Sequence, residues 1–408
     1  MNQQKMKEIF EQTSYVRMGG SAPELRCANY LVSLCEELGL TASLEPFEVA
    51  MAEMQSASLI ADGKEIECKG YLLAGTHEVE APLYYLTNVR DPYALSLCKG
   101  KIVLLENYLG YWLYQDILKN GAVGFITFDG HANYADRDID TRELRPYVSN
   151  GNKIPGVNIN VKSAVSLIEN DVKTVKIKLE QKEGVANSHN VVVDLPGKID
   201  QTILLTAHYD TTSLSLGAYD NMSGCVGLLG IMEHFSKNPH RYGLRFVFCG
   251  SEERGLLGAK AYAKAHEEEL AKIALNINLD MIGCTMGKMI ACCTTEEKLV
   301  HYISYLGHEL GVPISSYQDV YSSDSTPFAD KGVPALSFAR QAPSNTATIH
   351  NRYDTVKLMK MEKMEEDIAF IIAFTERMAN AVHCPVAREI PENMKEALDY
   401  YLLRKRKK

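Results

Sequence analysis

Histidine and carboxylate side chains recur at a few marked places along this chain. They are "HYD" (His208, Asp210), "YDNMSG" (Asp220), "SEERGLLGA" (Glu252, Glu253), "NLDMIG" (Asp280) and "IHNRYDT" (His350). Three of these places follow apolar runs that read as strands. "ILLTA" leads into His208, "LRFVFCGS" into the two glutamates, and "IALNINL" into Asp280. In an open α/β sheet ligands gather beyond the carboxyl ends of the strands, so these groups are expected to converge. Asp220, just before a helical pattern, and His350, in a polar turn, would join them. Taken singly, each group has a plainer role. Asp220 or Asp280 could cap a turn or helix, and a Glu pair ahead of a helix is favoured by its dipole. Together, two histidines and five carboxylates at one rim hold more negative charge than a fold leaves uncompensated. A divalent cation resolves the conflict, and imidazole nitrogen with carboxylate oxygen suits zinc, cobalt or manganese. Five ligands fit two ions sharing one carboxylate better than a single ion. Of the adjacent glutamates, one then binds metal while its neighbour stays free as a base.

The elements that must position these groups alternate strand and helix from Asn190 onward, the pattern of an α/β sheet. Strands are expected at "NVVVDLPG", "TILLTAH", "LRFVFCG", "IALNINLD", "KMIACC" and "PALSFA". Val226, Leu229, Met232 and Phe235 mark the buried side of a helix that starts near Met222. "TTEEKLVHYISYLGHELG" is another helix. Near the N-terminus "SAPELRCANYLVSLCEELGL" is a third, with Cys27, Leu31, Leu34, Cys35 and Leu38 on one face. Between residues 52 and 181 the texture changes to short strands ("GKIVLLEN", "AVGFITFDG", "IPGVNIN", "VKIKLEQ") and two helical stretches ("GYWLYQDILKNG", "VKSAVSLIEN"). "DGHANYADRDIDTREL" is expected to be a surface loop.

Composition narrows the classes. A chain of 408 residues has room for two domains. Its net charge of -9 argues against a general affinity for nucleic acid or anionic membrane. "MNQQKMKEIFEQTSYVRMGG" lacks the apolar core of a signal peptide, and no window approaches the roughly 18 apolar residues of a membrane span. The ten cysteines form no C-x-x-C pair, which points to a reducing compartment. A cytoplasmic location is expected, or secretion if a leader has been removed. "RKRKK" at 404–408 reads as a solvated tail.

The order of the motifs resembles that of the di-zinc aminopeptidase family, which includes bacterial leucyl aminopeptidase and the catalytic domain of glutamate carboxypeptidase. The opening "RMGGSAPELRCANYLVSLCEELGL" and the later "SSDSTPFADKGVPALSF" carry the same likeness. The resemblance implies a doubly wound, mostly parallel mixed sheet flanked by helices, formed by 1–51 and 182–390. The block 52–181 would be an inserted α+β protease-associated domain, as "GKIVLLEN" and "QDILKNGAVGFITF" suggest, and 391–408 a C-terminal helix and basic tail. The same resemblance implies two Zn2+, with Co2+ or Mn2+ as substitutes. His208 and Asp280 would hold one, Glu253 and His350 the other, and Asp220 would bridge. Glu252 would be the general base, Asp210 would orient His208, and the Asp220–Asn221 peptide would be cis. The activity implied is removal of N-terminal residues from a peptide substrate, in a chain free to form a homo-oligomer. Related alternatives are a carboxypeptidase or dipeptidase, a single-zinc acyl transferase resembling glutaminyl cyclase, and a non-catalytic binding homologue. Where some relatives place a tyrosine or histidine in the cleft, this chain has Ile349 and Ser325, leaving Tyr321 and Tyr353 as nearby oxyanion donors.

Overall fold

A computed structural model describes residues 1–106, 109–131 and 139–407. The chain forms two compact units, Met1–Val49 with Asn187–Lys408, and Ala50–Ala186. It passes from one to the other within two long strands, Ala42–Ala61 and Thr174–Leu195.

The larger unit is a mixed, mostly parallel sheet. Its strand order is Ile314–Gln318, Lys288–Thr294, Ala335–Gln341, Ile273–Leu279, Thr202–His208, Gly243–Cys249 and the end of Thr174–Leu195. Only Lys288–Thr294 with Ala335–Gln341, and Gly243–Cys249 with 191–195, run antiparallel along this path. The three strands expected to reach the site are buried along almost their whole length, as in a sheet with both faces covered. Helix Ser223–Lys237 is more deeply buried than a single apolar stripe predicts. Cys225, Leu228 and Ile231 are buried along with Val226, Leu229, Met232 and Phe235. Helix Ala22–Glu37 starts at a Ser21 side-chain cap with Pro23 in its first turn. Cys27, Leu31, Leu34 and Cys35 face the core, while Leu38 is half-buried and serves as the C-terminal cap. Helix Glu392–Tyr401 packs Met394 and Leu398 with Ile390 onto Ala329 and Ala335. The basic end is not simply solvated, since Arg404 pairs with Asp330 and Asp399.

The smaller unit has its own core, built around Ile102, Leu104, Phe125, Ile126, Val157 and Ile159. Its strands His77–Leu86, Ile102–Leu105, Gly124–Asp129 and Gly156–Asn160 run parallel to one another, with helices Tyr111–Lys119 and Val161–Glu169 between and after them. Of the expected loop at 129–144, residues 132–138 lie outside the described residues. On its flanks Asp129 ends a strand, and Ile139 and Leu144 are buried, so those flanks belong to the fold.

Among the described residues no helix is long and apolar enough to cross a membrane.

Candidate metal centre

Register brings the site together. In the sheet His208 lies opposite Cys249, and Thr206 opposite Asn278. Three neighbouring strands therefore end at one edge, where His208 lies between Asp280 on one side and the turn at 251–254 on the other. Asp220 arrives on the turn Ala218–Met222 ahead of helix Ser223–Lys237, and its peptide to Asn221 is cis. Asn221 fastens this turn beside Asp280. Its Nδ2 donates to the Leu279 carbonyl at 2.9 Å, and its Oδ1 accepts from Met281 N at 3.0 Å. His350 comes from the 349–354 turn with φ of 59°, a left-handed conformation.

These groups form two clusters that share one residue. His208, Asp220 and Asp280 present ligand atoms within 4.8 Å of one another, and so do Asp220, Glu253 and His350. Asp220 divides its oxygens between them. Oδ1 is 3.2 Å from His208 Nε2, and Oδ2 is 3.0 Å from His350 Nε2. Asp280 Oδ1 lies 3.7 Å from His208 Nε2, and Glu253 Oε2 lies 3.2 Å from His350 Nε2. Glu252 stands in neither triple, with Oε2 3.9 Å from His208 Nε2. Asp210 approaches His208 from behind, 3.5 Å from Nδ1. Its carboxylate also accepts the backbone N–H groups of Glu252 at 2.8 Å and Glu253 at 3.2 Å. One buried side chain thus ties the histidine strand to the glutamate turn.

A cation suits this arrangement. Asp280 Oδ1 is buried with no hydrogen-bond partner, an expensive state for a carboxylate oxygen unless something else meets it. The donor set of two imidazoles and three carboxylates is that of zinc or a similar ion.

Charges at the rim shift one another strongly. Burial alone would pull His208 down, but the Glu252 charge and the contacts with Asp210, Asp220 and Asp280 outweigh it and hold the ring well above its ordinary value. His350 is likewise pulled down by burial and lifted further by Asp220 and Glu253, to about 11. Burial would raise Asp220, yet His208 and His350 keep it below the usual carboxylate range. Glu253 is pushed up to about 7 by burial and then by Asp220. Glu252 is pushed well above a normal glutamate by burial, with Glu253, Asp324 and Asp280 adding to it against His208.

Several residues in this neighbourhood lie within the quoted motifs but were given no role there. Asp324 is buried with neither carboxylate oxygen hydrogen-bonded. Burial raises it to about 7, with Asp280 and Asp210 adding to that against the pull of His208. Arg17 is buried and donates to the carbonyls of Thr13, Tyr209, Leu216 and Gly217. Glu24 accepts from Gly20 N, Ser188 Oγ and Ser251 N. Asp354 accepts from Tyr219 N and Asp220 N. Of the two tyrosines near the late motifs, Tyr321 is half-buried. Its phenol is pushed well up by burial and then by the charge of Asp280, with Tyr219 and Asp220 contributing. Tyr353 is 51% exposed. Ser325 points inward to Ser337 at 2.8 Å.

A mixed α/β sheet with paired His, Asp and Glu clusters at its carboxyl edge presents the donor set of a metal centre. Residues 190–375 match the model of peptidase family M28. Aminopeptidase YwaD of Bacillus subtilis is 25% identical over 368 residues, which cover 86% of this chain and 78% of that protein. A vacuolar membrane protease of Vanderwaltozyma polyspora is 30% identical over 240 residues, but this chain spans only 23% of it. A zinc aminopeptidase structure from Bacillus subtilis shares the fold with a TM-score of 0.78 at 23% identity, covering 96% of this chain and 99% of that one. An aminopeptidase from Aneurinibacillus sp. strain AM-1 gives a TM-score of 0.76 at 20% identity, covering 95% and 96%.

Proposed function

We propose that this protein is a metal-dependent aminopeptidase that hydrolyses N-terminal residues from peptides, with two zinc ions at the paired clusters and Glu252 as general base. The observation that carries this is Asp220, whose two oxygens each face a different imidazole at 3.2 and 3.0 Å. A carboxylate so divided suits a bridging ligand. His208 and Asp280 would hold one ion, and Glu253 and His350 the other. Zinc bound there supplies a water of lowered pKa and an electrophile for the peptide carbonyl. The chain's own residues do the rest. Glu252, buried and outside both ligand triples, takes the proton of the attacking water on its carboxylate and returns it to the leaving amine nitrogen. Asp210 keeps the Glu252 and Glu253 backbone in place through their N–H groups and, 3.5 Å from His208 Nδ1, is placed to orient that ring. The family match over residues 190–375 and the names of the relatives support the choice of a peptide N-terminus as substrate. The unit Ala50–Ala186 is read as an inserted protease-associated domain, a reading supported by its separate core.

The test is Glu252→Gln. The variant should retain zinc and lose activity on aminoacyl-anilides by about 100-fold or more. Activity near that of the parent would remove Glu252 from this role.

A further inference from the structure

We propose that Asp354 is a positioning residue that locks the Asp220 turn to the His350 turn and thereby sets the spacing of the second cluster. This rests on the two-metal reading above. Asp354 is fully buried. Its Oδ1 accepts the Tyr219 N–H at 2.7 Å, and its Oδ2 accepts the Asp220 N–H at 3.0 Å and the Ser215 hydroxyl at 3.4 Å. It stands four residues after His350 in a turn that is tied to itself. The Asp354 N–H donates to Asn351 O at 3.1 Å, the Tyr353 N–H to Asn351 Oδ1 at 3.0 Å, and Asn351 Nδ2 to Ile349 O at 2.8 Å. The carboxylate therefore joins two segments more than a hundred residues apart, at the backbone amide of the residue that serves both clusters.

The turn is gripped from its other side as well. Arg17 donates to the carbonyls of Leu216 at 2.7 Å and Gly217 at 2.8 Å. A buried cation holds the carbonyl end of the 215–220 turn, and a buried anion holds its amide end. Both oxygens of Asp354 are needed for that grip. An asparagine keeps the shape, but it offers one acceptor and turns an N–H toward another N–H. The 3.0 Å approach of Asp220 Oδ2 to His350 Nε2 then loses the tie that fixes it.

A residue that merely satisfied two buried amides would affect stability and leave metal binding alone. The experiment therefore reads zinc affinity in the full chain. Zinc is titrated into metal-stripped parent and Asp354→Asn in competition with a chromophoric chelator, and bound zinc is counted by elemental analysis. The variant should bind one zinc as the parent does and the second about 10- to 100-fold more weakly. Two zinc ions held with parental affinity would overturn the proposal, whatever the change in melting temperature. If Asp354→Asn does not fold, Asp354→Glu keeps the charge but is too long to meet both amides. The same weakening is expected there, and parental affinity refutes the proposal equally. A parent chain that binds no zinc refutes the functional reading instead, so the two failures are distinct.

Discussion

Removing the His350 imidazole separates the two clusters, because Glu253 faces it and not His208, while Asp220 turns a different oxygen to each ring. His350 lies against Asp220 Oδ2 and Glu253 Oε2 with 49% of its side chain exposed. His208 is 1% exposed, among Asp210, Asp220, Glu252 and Asp280. In His350→Ala the first cluster keeps its histidine, Asp280 and one Asp220 oxygen, while the second keeps only carboxylates. Zinc should fall from two per chain to one. At a free zinc concentration 1,000 times the dissociation constant, each occupied site adds about 4 kcal/mol to folding stability, so the parent gains about 8 and the variant about 4. The metal-free variant is expected to start lower, since Asp220 and Glu253 lose the imidazolium that lies between them. For that reason the readout is the increment produced by zinc and not the absolute midpoint. Unfolding is followed in metal-stripped protein at several fixed free zinc concentrations, with bound zinc counted in parallel. An increment equal to that of the parent, or two zinc ions retained, would refute the division of ligands between two sites.

Two further outcomes test the surroundings. His266 stacks on Tyr262, with Nε2 3.0 Å from Glu45 and Nδ1 3.1 Å from Glu269. Partial burial lowers it, but the two carboxylates raise it more, so it sits above its ordinary 6.5. The folded chain keeps this proton to higher pH than the unfolded chain does. The contribution is therefore fully present below about pH 6.5 and fades as pH rises through the folded value. His266→Gln should cost about 1 kcal/mol or less at pH 6 and progressively less toward pH 9, as denaturant unfolding at several pH values can check; a deficit that grows with pH contradicts the assignment. Gly224 is close-packed: a Cβ there would lie 2.4 Å from the Leu279 carbonyl and 2.6 Å from Asn221 Oδ1. Since those atoms adjoin Asp280 and Asp220, Gly224→Ala should cost about 1–3 kcal/mol and reduce zinc content. Unchanged melting temperature and zinc content would show that the turn can yield.

The α/β class was legible because local pattern encodes it. Apolar runs bounded by turns place "TILLTAH", "LRFVFCG" and "IALNINLD" within a residue of the strands Thr202–His208, Gly243–Cys249 and Ile273–Leu279. Other elements escaped the pattern. The edge strand Ile314–Gln318, "ISSYQ", has half-buried and exposed positions and too little apolar content to signal itself. Helix Met361–Ala379 interleaves its buried Met364, Ile368 and Ile371 with acidic residues. "VKIKLEQ" and "NVVVDLPG", read as separate strands, are two parts of the single strand Thr174–Leu195, which runs through the polar stretch between them.

What the sequence determined by itself was the kind of chemistry at hand, because His, Asp and Glu side chains at strand ends carry their ligand character wherever they are. Tertiary structure alone decided how those groups are shared. It turned one oxygen of Asp220 to each histidine, set Asp210 under the backbone of both glutamates, and buried Asp324 nearby. Arg17, Glu24 and Asp354 lie inside stretches that carry the family resemblance, but what they do there was not legible, for the same reason. Their roles consist of hydrogen bonds to backbone atoms brought close only by folding, and a backbone amide has no residue type to read.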